Sequence, residues 1–303
     1  MFFYDNYHLL RPLIHFVKTL GERHPSFPAV REWRGGGGEV KKSILFIIVS
    51  LFVLPITAHE FWLQPEKFMY QPGDNINVRF WVGEDFNGEN WNGNHAKVNK
   101  LQLYIDDISD DMADQVSDET GDSLQLSIFD EGTAMIAFNS NNSFIKLDSA
   151  KFNAYLKEDG LNNTIDYRAA HNENDSCGKE FYQRSVKTLI QVGDKKTDVC
   201  RPANLPMDII PAVNPYSLNN KDSLTVKLLF NKQPLTNQLV NVWQRQNNIT
   251  TRQQYTSNDK AEISFVVLTT GKWMVSTVRM IHLENDAQAN WQSYWGSCTW
   301  GYQ

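Results

Sequence analysis

The chemistry-bearing residue with the clearest context is His59. It follows a stretch, 41–65, that reads KKSILFIIVSLFVLPITAHEFWLQP. Two lysines, an apolar run over 44–56 and the small residue Ala58 have the order of a secretory signal peptide with its cut site. Cleavage after Ala58 would make His59 the first residue of the mature protein. One residue would then carry a free α-amine and an imidazole, two nitrogen donors able to chelate nickel, cobalt, copper or zinc. An uncleaved membrane anchor is the alternative, although the run is short of the roughly 20 residues a spanning helix needs.

Besides His59, three histidines survive such a cut: His95, His171 and His282. His95 sits in an Asn/Gly/Trp-rich loop (ENWNGNHAKV), His171 beside Glu173 and Asp175, and His282 at a strand end near Glu284 and Asp286. All three are candidate metal ligands, each set against an ordinary surface role. Glu60 is a further oxygen donor, but neighbours along a strand face opposite ways. The acidic run 106–122 lacks the D-x-D-x-D-G pattern of a calcium loop and reads as solvated. Glu180, Arg184 and Lys187 suggest a structural ion-pair network. No G-x-S-x-G, H-E-x-x-H, P-loop or dinucleotide-binding glycine pattern occurs, so no catalytic residue is assigned.

The segments around these residues define the organisation. Residues 1–39 end in four glycines and Glu39, which a purine-rich ribosome-binding site would encode in frame, and Val40 can be a GTG start. We read 1–39 as a mis-called upstream extension, 40–58 as the signal peptide and 59–303 as the mature chain. Positions 1–58 hold 7 of the 29 basic and 4 of the 35 acidic residues, which leaves 22 and 31 in the mature part. An acidic surface without a basic stripe argues against nucleic acid as a partner. The three cysteines, Cys177, Cys200 and Cys298, lie in the exported part, where disulfides persist. Cys177 and Cys200 are the expected bridge, with Cys298 left buried in a C-terminal strand. No C-x-x-C spacing marks a thiolate zinc site.

From Phe61 onward, short alternating runs separated by turn residues predict strands over 76–82, 98–105, 123–129, 133–138, 223–230, 238–244, 261–268 and 273–282. One helix is predicted over 149–160, and residues 180–192 mix both periods, with a strand in the second half. Residues 161–179 and 247–260 read as polar and irregular. The expected fold is mainly β, with two sandwich-like domains: 59–204, carrying the helix, and 205–303, immunoglobulin- or transthyretin-like. Tryptophans at 243, 273, 291, 295 and 300 are expected in the sandwich core and at its edge.

Several ordered segments carry a resemblance. They are the start HEFWLQP, then GEDFNG at 83–88, KFNAYL at 151–156, EFYQR at 180–184, NPYSL at 214–218, GKWMV at 271–275 and WQSYW at 291–295. Together they resemble the bacterial periplasmic family called domain of unknown function 4198, over essentially all of 59–303. The resemblance implies a secreted two-domain β protein associated with nickel or cobalt uptake, with a membrane transporter component as partner. Arg279 stands where the family often has a histidine, and Asn290 and Gln292 where acidic residues are usual. The expected function is therefore periplasmic metal binding and delivery of nickel or cobalt, or of copper. Two alternatives stand beside it: a β-sandwich interaction module for protein or glycan, and a histidine-brace copper enzyme.

Overall fold

The computed structural model describes residues 60–121 and 123–302, so the expected signal segment and His59 lie outside the described residues. Among the described residues no helix is long and apolar enough to cross a membrane. The fold is mainly β and sandwich-like.

The first half of the chain runs β1 (Glu60–Pro65), β2 (Met69–Tyr70), β3 (Asn75–Glu84), β4 (Asn87–Asn90), β5 (Val98–Ile105) and β6 (Ile108–Asp111). It continues through β7 (Ser123–Ser127), β8 (Gly132–Ser140), β9 (Ser143–Leu147), α1 (Ser149–Glu158), α2 (Asn162–Ala170) and β10 (Gly178–Val192). The second half holds β11 (Met207–Pro211), β12 (Ser223–Phe230), β13 (Gln233–Pro234) and β14 (Leu239–Gln246). It ends with β15 (Ile249–Thr256), β16 (Glu262–Val266), β17 (Lys272–His282) and β18 (Trp291–Gly301).

Three sheets form. A small sheet of β1, β3, β4 and β7 lies in the first half, and another of β11, β12, β13 and β16 in the second. Between them runs a ten-stranded sheet ordered β15-β14-β17-β18-β10-β8-β5-β6, with β2 and β9 also pairing β10. The large sheet takes strands from both sides of the expected 204/205 boundary. β10 and β18 pair in parallel over Glu180–Thr188 and Trp291–Thr299. The described residues accordingly lie in one compact unit.

The central strands serve two cores. From β8, Ala134, Ile136 and Phe138 join Val186, Ile190 and Val192 of β10 in a core with Phe61, Val78 and Phe80. The intervening Met135, Ala137 and Leu189 enter the other core, with Leu224, Val242, Trp273 and Trp300. A strand buried on both faces reads as a continuous apolar run rather than an alternation, which is why only part of β10 is recognisable by period. The tryptophans behave as expected of core residues: Trp243, Trp273, Trp291 and Trp300 are buried.

The helices cover the far ends of β17 and β18, burying Phe152, Tyr155, Leu156 and Leu161 against Val278, Met280 and Trp291. Asp148 caps α1, its side chain accepting from Lys151 N–H at 2.9 Å. The helix thus begins one residue after its cap, at Ser149.

The expected Cys177–Cys200 disulfide is corrected: Cys177, Cys200 and Cys298 are all free thiols. Cys177 immediately precedes β10. Cys200 follows Thr197, which hydrogen-bonds Thr133, the ladder partner of Gln191 near the other end of that strand. At about 3.3 Å per residue that strand separates them by tens of ångströms, far beyond the roughly 7 Å Cα limit for a bridge.

Candidate functional site

The residues proposed as ligands divide in the structure. His95 is half-exposed, and its ring nitrogens lie 3.7 Å from Asp114 and 3.5 Å from Asp118, both on the acidic loop. Those two carboxylates are almost fully exposed, so water competes for every contact there. His171 and His282 are brought together, but around a third ring. Tyr167 stacks on His171 at 3.9 Å and on His282 at 4.4 Å. Tyr167 Oη also contacts His282 Nδ1 at 3.2 Å, while His171 Nδ1 lies 2.7 Å from the Tyr167 carbonyl. With a phenol ring between them, the two imidazoles do not face a common ion. Among the described residues no group of three or more His, Cys, Asp or Glu side chains is arranged to hold a metal.

The expected network of Glu180, Arg184 and Lys187 is also corrected. Lys187 has odd parity on β10 and leaves by the opposite face from the other two; it pairs with Asp208. Arg184 lies over the rings of Phe61 and Tyr182 at 4.8 and 5.0 Å. Glu180 turns towards the helices.

What the fold assembles instead is a cluster of desolvated carboxyls. Glu60 opens β1, opposite Gly83 of β3, and is 7% exposed. Burial pushes its pKa up to about 7, with the charges of Glu84 and Asp85 adding to the rise. Asp159 follows the last residue of α1. Burial raises its pKa to about 8, and Glu60, Glu158, Glu180 and Glu84 push the same way. A carboxylate there also opposes the helix dipole. Among the described residues its buried Oδ2 has no hydrogen-bond partner. Glu180 is 3% exposed, and burial lifts its pKa to about 7.

Two matching relays hold the glutamates. Trp243 Nε1–H donates to Ser276 Oγ at 2.9 Å, and that hydroxyl reaches Glu60 Oε1 at 3.5 Å. Trp295 Nε1–H donates to Ser293 Oγ at 3.1 Å, and Ser293 in turn donates to Glu180 Oε1. Tyr155 Oη adds a second donor to the same Glu180 oxygen at 3.2 Å. Because each serine oxygen already accepts from an indole, its own proton is directed at the carboxyl.

Glu60 and Asp159, with Asn241, Ser276 and Trp295, line a cavity of about 10 Å³, room for one water or one small ion. None of the three described histidines lines it. Among the described residues no lysine or arginine is ion-paired with Glu60, Asp159 or Glu180. Burial thus favours the protonated form of all three carboxyls, and Glu60 and Asp159 present theirs at the cavity.

Sequence reasoning had named Glu60 and Glu180 but missed Asp159. The available signal was an acidic residue just before the terminal glycine of a helix (KEDG), where a basic one is favoured.

The family model described as "Domain of unknown function (DUF4198)" matches residues 56–280. No curated protein matches the chain. Among solved structures, activated Escherichia coli alpha-2-macroglobulin overlaps at 10% identity and a TM-score of 0.18, over 80% of this chain and 20% of that one. This chain thus spans about one fifth of that protein. A marsupial T cell receptor overlaps at 8% identity and a TM-score of 0.19, over 78% and 73% of the two chains. The three N-terminal domains of the bacteriophage RB49 outer capsid protein Hoc overlap at 10% and 0.17, over 81% and 100%. Overlaps this loose carry no argument.

Proposed function

The chain belongs to the DUF4198 family, and on that premise we propose that it is an exported periplasmic protein that binds a divalent transition metal. It would pass nickel or cobalt, or copper, to a membrane uptake component. The observation that carries this reading is the set of desolvated carboxyls beginning at Glu60, one residue from the amine and imidazole expected at His59. A mature His59 would supply two nitrogen donors, and Glu60 and Asp159 would supply oxygens. Mixed nitrogen and oxygen donors suit nickel, cobalt and copper. Because the carboxyls are protonated near neutrality, metal entry would expel protons, and acidification would release the metal. That coupling suits a protein that delivers its ion rather than one that keeps it.

The test is intact mass and metal titration on protein exported from bacterial cells. A mass beginning at His59, with one divalent ion bound at micromolar affinity or tighter, supports the reading. A variant with one extra residue before His59 removes the free terminal amine from that position. Equal binding by the extended protein would discard the terminal chelate and leave the internal histidines. No binding by either form would discard metal handling.

In that event the interaction-module reading gains ground, and an open groove of about 860 Å³ is where it would act. Lys67, Arg245 and Lys272 line the groove, and burial lowers the pKa of Lys272 to about 8.

A further inference from the structure

Lys187 and Asp208 make a second buried polar site, of different chemistry. Lys187 Nζ lies 2.6 Å from Asp208 Oδ1, and the two side chains are 1% and 2% exposed. Around them are Met207, Ala203, Leu205 and Cys298, all buried; Cys298 is the ladder partner of Lys187 across the parallel pairing. An ammonium carries three N–H donors, yet Asp208 Oδ1 is the one side-chain acceptor that Nζ meets among the described residues. Asp208 Oδ2 is served differently, accepting backbone N–H groups of Ala203 at 2.8 Å and Leu205 at 3.4 Å. This inventory fits an amide better than an ion pair. An amide nitrogen has one hydrogen to place, and an amide oxygen at Oδ2 would keep both backbone donors.

We propose that Lys187 Nζ and Asp208 Cγ condense into an intramolecular amide that staples β10 to β11. The ammonium first passes one proton to Oδ1. The freed lone pair on nitrogen then attacks Cγ, and the N–C bond forms. Charge gathers on Oδ2, where the N–H groups of Ala203 and Leu205 are placed to hold it, as in an oxyanion hole. The Cγ–Oδ1 bond then breaks, and Oδ1 leaves with a second proton from nitrogen as water. Nothing is oxidised or reduced, and no co-reactant is needed. The link would close the segment in which the chain leaves the first sandwich and enters the second. It would also give an exported chain with three free thiols a covalent tie that does not depend on redox state.

The test is the intact mass of the folded wild-type protein, followed by proteolysis and fragment sequencing. The proposal expects a mass one water below that of the sequence and a branched fragment joining the peptides of Lys187 and Asp208. Lys187→Met should restore the full mass, while Asp208→Asn should lose ammonia in place of water. A full-mass wild-type protein whose Lys187 resists amine-acylating reagent while folded, and accepts it when denatured, would overturn the proposal. A lost water confined to the Asp208 peptide, as in a succinimide, would overturn it equally.

Discussion

Two buried polar sites lie on the two faces of β10, and they solve the problem of desolvated charge in opposite ways. At Lys187 and Asp208, cation meets anion at 2.6 Å and two backbone N–H groups complete the aspartate. At Glu60, Asp159 and Glu180 like charges are gathered with no ion-paired cation among the described residues, and burial keeps the protons on. The first arrangement carries its own counter-charge and needs no outside ion. The second is incomplete, and its occupant can be exchanged. Burial does not separate the two sites; the way each compensates its charge does.

The largest expected effect breaks the closed site. Lys187→Met or Asp208→Ala leaves one uncompensated buried charge and should cost about 3–5 kcal/mol. Replacing both with apolar residues of similar volume should recover much of what an ion pair loses, but not the constraint lost with an amide. Denaturant titration of the three variants measures both statements.

Next comes the open site's response to pH. Glu60, Asp159 and Glu180 have folded pKa values of about 7, 8 and 7 against ordinary values of 4.5, 3.8 and 4.5. A raised carboxyl pKa means that the folded state holds more protons than the unfolded one. Stability from this source is therefore full below about pH 4 and falls as pH rises to about 8, by up to roughly 1.4 kcal/mol per pH unit for each group. Asp159→Asn should flatten the slope and stabilise the metal-free protein at pH 8. A melting-temperature series at fixed ionic strength would show an unchanged slope if the cluster ionises normally.

Under the metal-binding proposal, the same Asp159→Asn change should weaken divalent-metal affinity by roughly tenfold, about 1.4 kcal/mol. It should also reduce the protons released on binding, which calorimetry in buffers of different ionisation enthalpy reads directly. The smallest effect lies at the histidine pair. Tyr167→Leu removes two ring stacks and should cost about 1–2 kcal/mol while leaving metal affinity at the N-terminus unchanged. A large affinity loss there would move the site from the carboxyl cavity to His171 and His282.

The sequence made the regular parts of this fold visible wherever one face of an element meets water. β5 and β12 alternate cleanly, and both match their expected spans at Val98–Ile105 and Ser223–Phe230. α1 shows Phe152, Tyr155 and Leu156 at helical spacing. α2 was read as irregular because Thr164 and Arg168 are its buried residues and no side chain caps its start. β15 was missed because the strand is almost wholly exposed, so it has no apolar period to read. The carboxyl cluster was hidden for another reason. Glu60, Asp159 and Glu180 come from three distant stretches, and each is unremarkable within its own. Desolvation is a property of the assembled neighbourhood, and no local pattern encodes it. The disulfide expectation failed because pairing was inferred from distance along the chain, whereas β10 holds Cys177 and Cys200 apart in space.

The parallel seam between β10 and β18 has a consequence for how the protein can be made. The longest strand of the first half finds a principal neighbour more than a hundred residues later, in the final strand. Such non-local pairing is slow to form. Until residues 291–301 have arrived, β10 presents a row of unpaired backbone groups to any other strand nearby. A nascent chain thus passes through an adhesive stage that ends only when residues 291–301 pair with β10. Truncation before Trp291 should give aggregated protein rather than a smaller folded one.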